Sequence, residues 1–527
     1  MIYHCEDHTC NYWDEGEKLP ERCPQCGRKL LRANETDMTG DDWTALGNTL
    51  WDAEASDKKR MVDCFRKAAY LGSAWGVCNL GICMEQGNGV EADPVQAFWL
   101  YQQAVEMGSL NAVCCLGVCY QYGIGTAPDA KQAAELYCKA AEYGSPRGQM
   151  LLARAFHDGI GVEADAAEAV HWVRAAAYQR YGEGMHRLGV CYEYGDGVEQ
   201  NWEHAVHWFR EAAESGVSTA MTDLGYCYEK GCGVEQSWEQ AFSWYRRGAE
   251  CGYPVSMSNL GLCYKRGYGV EQNWQEAVKW YEQGAQCGNL QSMHNLACCY
   301  EHGEGVEQNM TEAIRWYTAA AEGGNADDMY ELGWQYDHGE GVEQDMKKAI
   351  CWYERAAEQN HPAAMNSLGE CYAMGRGVPR DLETAMEWYR RAAELGEAMA
   401  DYNMGWHLEQ AGKLSEAYAH YRKAADGNDD SAWWALGRFY ENGVVVAQDG
   451  KEARRCYETG EKLGSVKCKM RLARCKLLGI GGRREKKAGL DLCRQALELA
   501  KESSEKEDYG YEAEMNLLRR TIAENES

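Results

Sequence analysis

The sequence predicts an all-α repeat protein: a solenoid of stacked αα-hairpins behind a small cysteine-bearing segment. Three observations predict it. First, Leu-Gly or a close variant recurs at Leu46, Leu80, Leu116, Leu152, Leu188, Leu224, Leu260, Leu296, Leu332, Leu368, Met404, Leu436 and Leu472. The spacings are 34, then 36 nine times, then 32 and 36, a period typical of helical-hairpin arrays. Second, most copies run into a Gly-x-Gly joint and a helix-capping residue. Third, a column of small residues alternates with a column of large aromatic ones. Together they give about 12–13 repeats.

The elements follow in chain order. Residues 3–32 read YHCEDHTCNYWDEGEKLPERCPQCGRKLLR. Cys23-Pro24-Gln25-Cys26-Gly27 is a metal knuckle, in which two thiolates three apart around a tight turn can grip one tetrahedral ion. Cys5 and Cys10 supply the second pair, and the dozen residues between the pairs suit a small β-hairpin. The first pair has four intervening residues where two are usual, which leaves His4 and His8 as substitutes for Cys5. The segment, residues 1–34, resembles a zinc ribbon. That resemblance implies a structural Zn²⁺ on Cys5, Cys10, Cys23 and Cys26, with iron as the other metal such knuckles take.

The repeats occupy residues 41–503. In the copy anchored at Leu224, Met221, Leu224, Cys227 and Tyr228 fall at helical spacing and form one apolar stripe. Gly225 removes a side chain from the packed face. Gly231 and Gly233 end the helix, because glycine takes the left-handed backbone at low cost. Val234 is placed to fold back over that end. Ser237 opens the second helix; its slot holds Asp93, Asp129, Asp165, Asn201, Asn273, Asn309, Asp345, Asp381 and Asp449 elsewhere, all good N-caps. Asn273 with Glu276 and Asn309 with Glu312 have capping-box spacing. The second helix carries Ala241, Trp244, Tyr245 and Ala249. Small residues admit a close neighbour, and the Trp column (Trp172, Trp208, Trp280, Trp316, Trp352, Trp388) is expected to fill the space between copies. Cys119, Cys191, Cys227, Cys263, Cys299 and Cys371 form a ladder one repeat apart, a column of small core residues rather than a chelate. The first copy, from Asp41, lacks the Gly-x-Gly joint, the copy at Met404 is four residues short, and residues 504–527 are expected to form a capping helix.

The shared frame, LGxCYxxGxGVxxDxxxAxxWYxxAAxxG, is plain from Leu188 to Gly216 and again from Leu332 to Glu358. It resembles the Sel-1-like repeat family, a relative of the tetratricopeptide repeats. The resemblance implies a right-handed superhelix that binds proteins and assembles complexes. In tetratricopeptide relatives, the positions two before, two after and six after the anchor leucine line a concave groove. Here the central copies supply Thr222, Tyr226 and Lys230; Ser258, Leu262 and Arg266; His294, Cys298 and His302; Tyr330, Trp334 and His338; Asn366, Glu370 and Met374. Aromatic and histidine side chains anchor interfaces well, so Tyr226, Lys230, Arg266, His294, His302, Tyr330, Trp334 and His338 are the candidate partner-binding residues. The hot spot is expected at His302, Tyr330, Trp334 and His338.

A net charge of −28 argues against a nucleic-acid or anionic-membrane ligand. The charge is uneven: residues 451–527 carry a net +4 and the rest −32. Lys467, Lys469, Arg471, Arg474, Lys476, Arg483, Arg484, Lys486 and Lys487 form the single basic run, a candidate contact for the acidic body of a second copy. There is no apolar run of about eighteen residues and no signal-peptide pattern. A cytoplasmic chain of reduced thiols is therefore expected.

The Gly-x-Gly joint follows a helix rather than a strand and recurs in copy after copy, so it is a packing joint and not a nucleotide loop. No nucleophile elbow, Cys–His signature or paired metal-ligand histidines is present. Some cysteine-rich relatives, described as β-lactamases, staple each hairpin with cysteines about eight positions apart. Here those slots hold, for instance, Ala249 and Met257. The expected function is a non-enzymatic scaffold holding a protein or peptide in the groove. The alternatives are a hydrolase of the cysteine-rich type, or a metal- or redox-responsive regulator acting through the N-terminal segment.

Overall fold

A computed structural model describes residues 2–5, 13–15, 30–33, 38–51, 55–506 and 512–526. Among them, three short strands precede 27 helices. The strands β1 (Ile2–Cys5), β2 (Trp13–Glu15) and β3 (Leu30–Ala33) form an antiparallel sheet in the order β2-β1-β3. Ile2 lies opposite Glu15 and Cys5 opposite Leu30. The strand between the two cysteine pairs thus pairs with β1. Of the metal set, Cys10, Cys23 and Cys26 lie outside the described residues, and Cys5 ends β1.

The remainder is a run of helical hairpins, most helices being 13 residues long, and within each of the two compact units described below successive helices pack on one another. The copy at Leu224 shows how the sequence builds them. Its first helix, Ser218–Lys230, buries Met221, Leu224 and Cys227. A Cβ at Gly225 would lie 2.6 Å from the Tyr245 ring, so the glycine of Leu-Gly is the seat for a buried aromatic of the second helix, Trp238–Glu250. The same seat meets Tyr101 at Gly81, Tyr137 at Gly117, Phe209 at Gly189, Tyr353 at Gly333 and Tyr389 at Gly369. This corrects the expectation for the Trp column. The fully buried rings are the tyrosines one residue later, because only they face the glycine. Except for Trp244, which is buried, the tryptophans of the column lie half-buried on the flank, and an arginine three residues on covers several of them: Arg247 sits 4.2 Å from the Trp244 ring centroid, Arg355 4.2 Å from Trp352 and Arg391 4.5 Å from Trp388.

The joint works as expected, with one addition. Gly231 ends the first helix at φ 74° and donates to the Cys227 carbonyl at 2.8 Å. Gly233, at φ 69°, leaves no room for a side chain, since a Cβ would lie 2.4 Å from the carbonyl oxygen of Trp202 in the preceding copy. The second glycine is therefore an inter-repeat contact. Every N-cap expected on a second helix accepts a backbone N–H from the first turn. The two capping boxes are only half made: Asn273 and Asn309 accept from Glu276 and Glu312, but those carboxylates turn to Lys279 and Arg315. The backbone N–H groups of Asn273 and Asn309 are already donated to the carbonyls of Tyr264 and Tyr300, at 2.9 and 2.8 Å, which leaves the carboxylates free to pair with cations one turn away.

The chain forms two compact units, Met1–Trp280 and Tyr281–Ser527. In the first, hairpins run from the helix Gly40–Thr49 onward and carry buried cores of Ala, Cys, Leu, Val and Tyr. In the second, six first helices follow: Leu290–His302, Ala326–His338, Pro362–Met374, Ala398–Gln410, Asp430–Asn442 and Val466–Leu478. A 21-residue helix, Lys486–Lys506, runs through the boundary expected at 503, and the terminal helix is Glu512–Glu526. Met515 and Leu518 of that helix bury against a cluster with Met470, Ala473 and Leu477, which caps the unit's apolar end.

Candidate functional site

The three first-helix columns expected to form a groove divide by burial. The first is mostly interior. Thr222 is buried and its hydroxyl meets Ser256 at 2.5 Å. Ser258 and Asn366 are buried as well. His294 is half-buried between Asp328 and Cys298, with Nδ1 2.8 Å from Asp328 Oδ1. The Asp328 bond raises the His294 pKa to about 10, while burial pushes the Asp328 carboxyl upward. The second and third columns reach the surface. Tyr226, Lys230, Arg266, His302 and His338 are exposed. Lys230 pairs with Glu229 at 2.7 Å and lies 5.7 Å from the Tyr226 ring centroid. His302 Nδ1 lies 3.0 Å from the Cys298 carbonyl oxygen, and His338 Nδ1 2.9 Å from that of Trp334.

Three of the expected residues come together. Tyr330, Trp334 and His338 line a cleft of about 890 Å³ in the second unit, with Asn366, Glu370 and Met374 of the next copy. His302 and His294 do not line it. The helix Ala398–Gln410 closes the far side with Met399, Tyr402, Asn403, Trp406 and His407. These last residues were outside the expectation, because the short copy at Met404 looks on sequence like an ordinary turn. Their signal was present: Trp406 repeats the slot of Trp334 two copies earlier.

The cleft opens where a recurring internal bond is lost. In four copies the buried tyrosine donates its hydroxyl to a glutamate 16 residues earlier, as Tyr101 does to Glu85, Tyr245 to Glu229 at 2.8 Å, Tyr317 to Glu301 at 2.6 Å and Tyr457 to Glu441 at 2.8 Å. At Tyr353 that slot holds the shorter Asp337, and at Tyr389 it holds Ala373. Both tyrosines line the cleft, and Asp337 pairs instead with Arg376 of the next copy at 2.8 Å. Burial raises the phenol pKa at both tyrosines, so they stay protonated donors. Glu370 Oε1 accepts from Asn366 Nδ2 at 3.2 Å and from Asn403 Nδ2 at 3.1 Å, which holds a half-buried carboxylate in one orientation. His407, buried and near Arg380, has its pKa lowered and is neutral at pH 7. The result is an aromatic-walled cleft with oriented polar groups, suited to recognition.

Other candidates are internally satisfied. The buried thiols of the repeat column have pKa values raised by burial, to about 12 at Cys227 and Cys263 and about 11 at Cys191 and Cys371, so they are core groups without thiolate reactivity. Ala249 and Met257, the staple slots, are buried apolar contacts. A smaller cavity of about 380 Å³ in the first unit holds His157, Asp158, Arg187 and Asp196, whose charges pair with one another. The basic run is partly consumed: Arg471 and Arg474 both pair with the buried Glu441, and Lys467 lies over the Trp434 ring. Among the described residues, no group of three His, Cys, Asp or Glu could hold a metal, and no helix is long and apolar enough to cross a membrane.

The chain is 29% identical to a protective antigen present in uropathogenic Escherichia coli strains that displays an SLR fold, over 81% of this chain and 94% of that one, with a TM-score of 0.59. It is 31% identical to a Sel1 repeat protein from Oxalobacter formigenes, over 46% of this chain and 96% of that one, with a TM-score of 0.42. No curated protein matches the chain. The Sel1 repeat model matches twelve successive segments between residues 76 and 501, and their joints, caps and glycine seats are those described above: the chain belongs to the Sel1 repeat family.

Proposed function

We propose that the protein is a non-enzymatic scaffold that holds a protein or peptide partner in the groove of its first helices, centred on Tyr330, Trp334 and His338. The observation that carries this reading is the cleft of about 890 Å³ along three successive first helices. It lies beside Tyr353 and Tyr389, two buried tyrosines that lack the glutamate partner of Tyr245, Tyr317 and Tyr457. Protein partners are what the repeat fold commonly serves.

The N-terminal segment is a second contact in this reading, held by a structural Zn²⁺ on Cys5, Cys10, Cys23 and Cys26. Its support is the register that sets Cys5 opposite Leu30, four residues after Cys26.

Affinity purification of the full chain tests the groove. A stable partner should be recovered and should be released by Tyr330→Ala with Trp334→Ala. Recovery unchanged by the double substitution overturns the groove assignment.

A further inference from the structure

The cleft has a charge and aromatic pattern that selects its ligand. Elsewhere this protein repeatedly covers its indole rings with its own cations. Arg247, Arg315, Arg355, Arg391 and Arg438 lie 4.2–4.9 Å from the ring centroids of Trp244, Trp316, Trp352, Trp388 and Trp434. The two indoles of the cleft carry no such cation. Trp334 stacks on His338 at 4.4 Å and Trp406 meets His407 edge-on at 4.7 Å. Trp406 is 38% exposed and so reachable from the cleft.

The carboxylates of the cleft are unbalanced. Asp337, Glu370 and Glu397 line it against one guanidinium, Arg376. Asp337 engages Arg376 at 2.8 Å, while Glu370 lies 3.9 Å from it. Glu370 is aimed by the two asparagine amides rather than neutralised by them. Glu397 sits at the start of the helix Ala398–Gln410 and accepts the Met399 N–H at 3.4 Å. Indole rings without an arginine or lysine of their own, beside surplus carboxylates, are the complement of a partly desolvated cation. A planar guanidinium fits best, since it can stack on a ring and donate to a carboxylate at once.

We propose that the cleft formed by the helices Ala326–His338, Pro362–Met374 and Ala398–Gln410 receives an arginine or lysine side chain of a partner peptide, its charge met by Glu370 and Glu397 and its face by Trp334 and Trp406. The proposal rests on the groove reading and adds the chemistry of the partner: a basic segment. The body's strong negative charge steers such a segment toward the cleft.

The test titrates the full chain with N-acetylarginine methylamide and, separately, with its uncharged citrulline analogue. The indole N–H NMR signals of Trp334 and Trp406, assigned with single Trp→Phe variants, report binding. The arginine compound should shift both signals and bind about tenfold or more tightly than the citrulline one. Glu370→Gln with Glu397→Gln should remove that preference while circular dichroism stays unchanged. Equal shifts from the two compounds, or none, overturn the proposal. So does a captured partner that the Gln variants retain but Tyr330→Ala with Trp334→Ala releases; in that case the groove stands and its cation selectivity does not.

Discussion

A methyl group added at Gly225 would sit 2.6 Å from the ring of Tyr245. That one contact explains why Leu-Gly recurs: the glycine is the absence into which a tyrosine packs. Gly225→Ala should therefore destabilise the protein by about 1–3 kcal/mol, read as a lowered urea midpoint. The effect should shrink in a Tyr245→Val background, a coupling that a double-mutant cycle measures. An unchanged cost in both backgrounds would remove the seat as the cause. The chain already contains the smaller pair, Ala153 opposite Val173, both buried. At this scale the sequence was legible in type but not in partner. The Cys column was correctly a core column, whereas the ring that meets the Leu-Gly glycine is the residue after the tryptophan, because one residue of helical rotation decides which ring faces it.

The joint between the helices was legible because its chemistry is local. Left-handed glycines and N-cap oxygens act within a few residues of themselves, so spacing is enough to find them. The copy at Leu436 departs from this pattern. Val445 takes the slot of the second glycine at φ 64°, with a tight Val446-to-Val444 bond of 2.7 Å behind it. A left-handed backbone costs a side chain with a Cβ roughly 1–2 kcal/mol, partly offset by the extra freedom glycine gains on unfolding. Val445→Gly should therefore raise stability by about 1 kcal/mol. The expected reading is a higher urea midpoint at unchanged slope, and a lower midpoint would sink the account. The groove columns were the less legible part of each element. The first was expected at the surface, but Thr222, Ser258 and Asn366 are buried. Spacing gives the face of a helix; how far the next copy covers that face depends on packing.

At the scale of the whole molecule, stability in a stack of hairpins is close to a sum of repeats and nearest-neighbour contacts. Within the first unit, removing residues 218–253 should join Val217 to Pro254 in register, because Val217 and Tyr253 both directly precede a first helix. The shortened chain should keep its ellipticity per residue at 222 nm, and a large loss of helix would contradict nearest-neighbour stacking. The sequence by itself determined the fold class, the repeat period, the joints, the caps and a protein-binding reading of the first-helix face. Each of these is written in residues a few positions apart and repeated many times. Only the tertiary structure decided which of the first-helix residues share one cleft. The cleft draws Tyr330, Glu370 and Trp406 from three separate copies, and Tyr353 and Tyr389, two tyrosines without the glutamate partner that Tyr245 has, line it. That arrangement depends on distances across copies, which no spacing along the chain records.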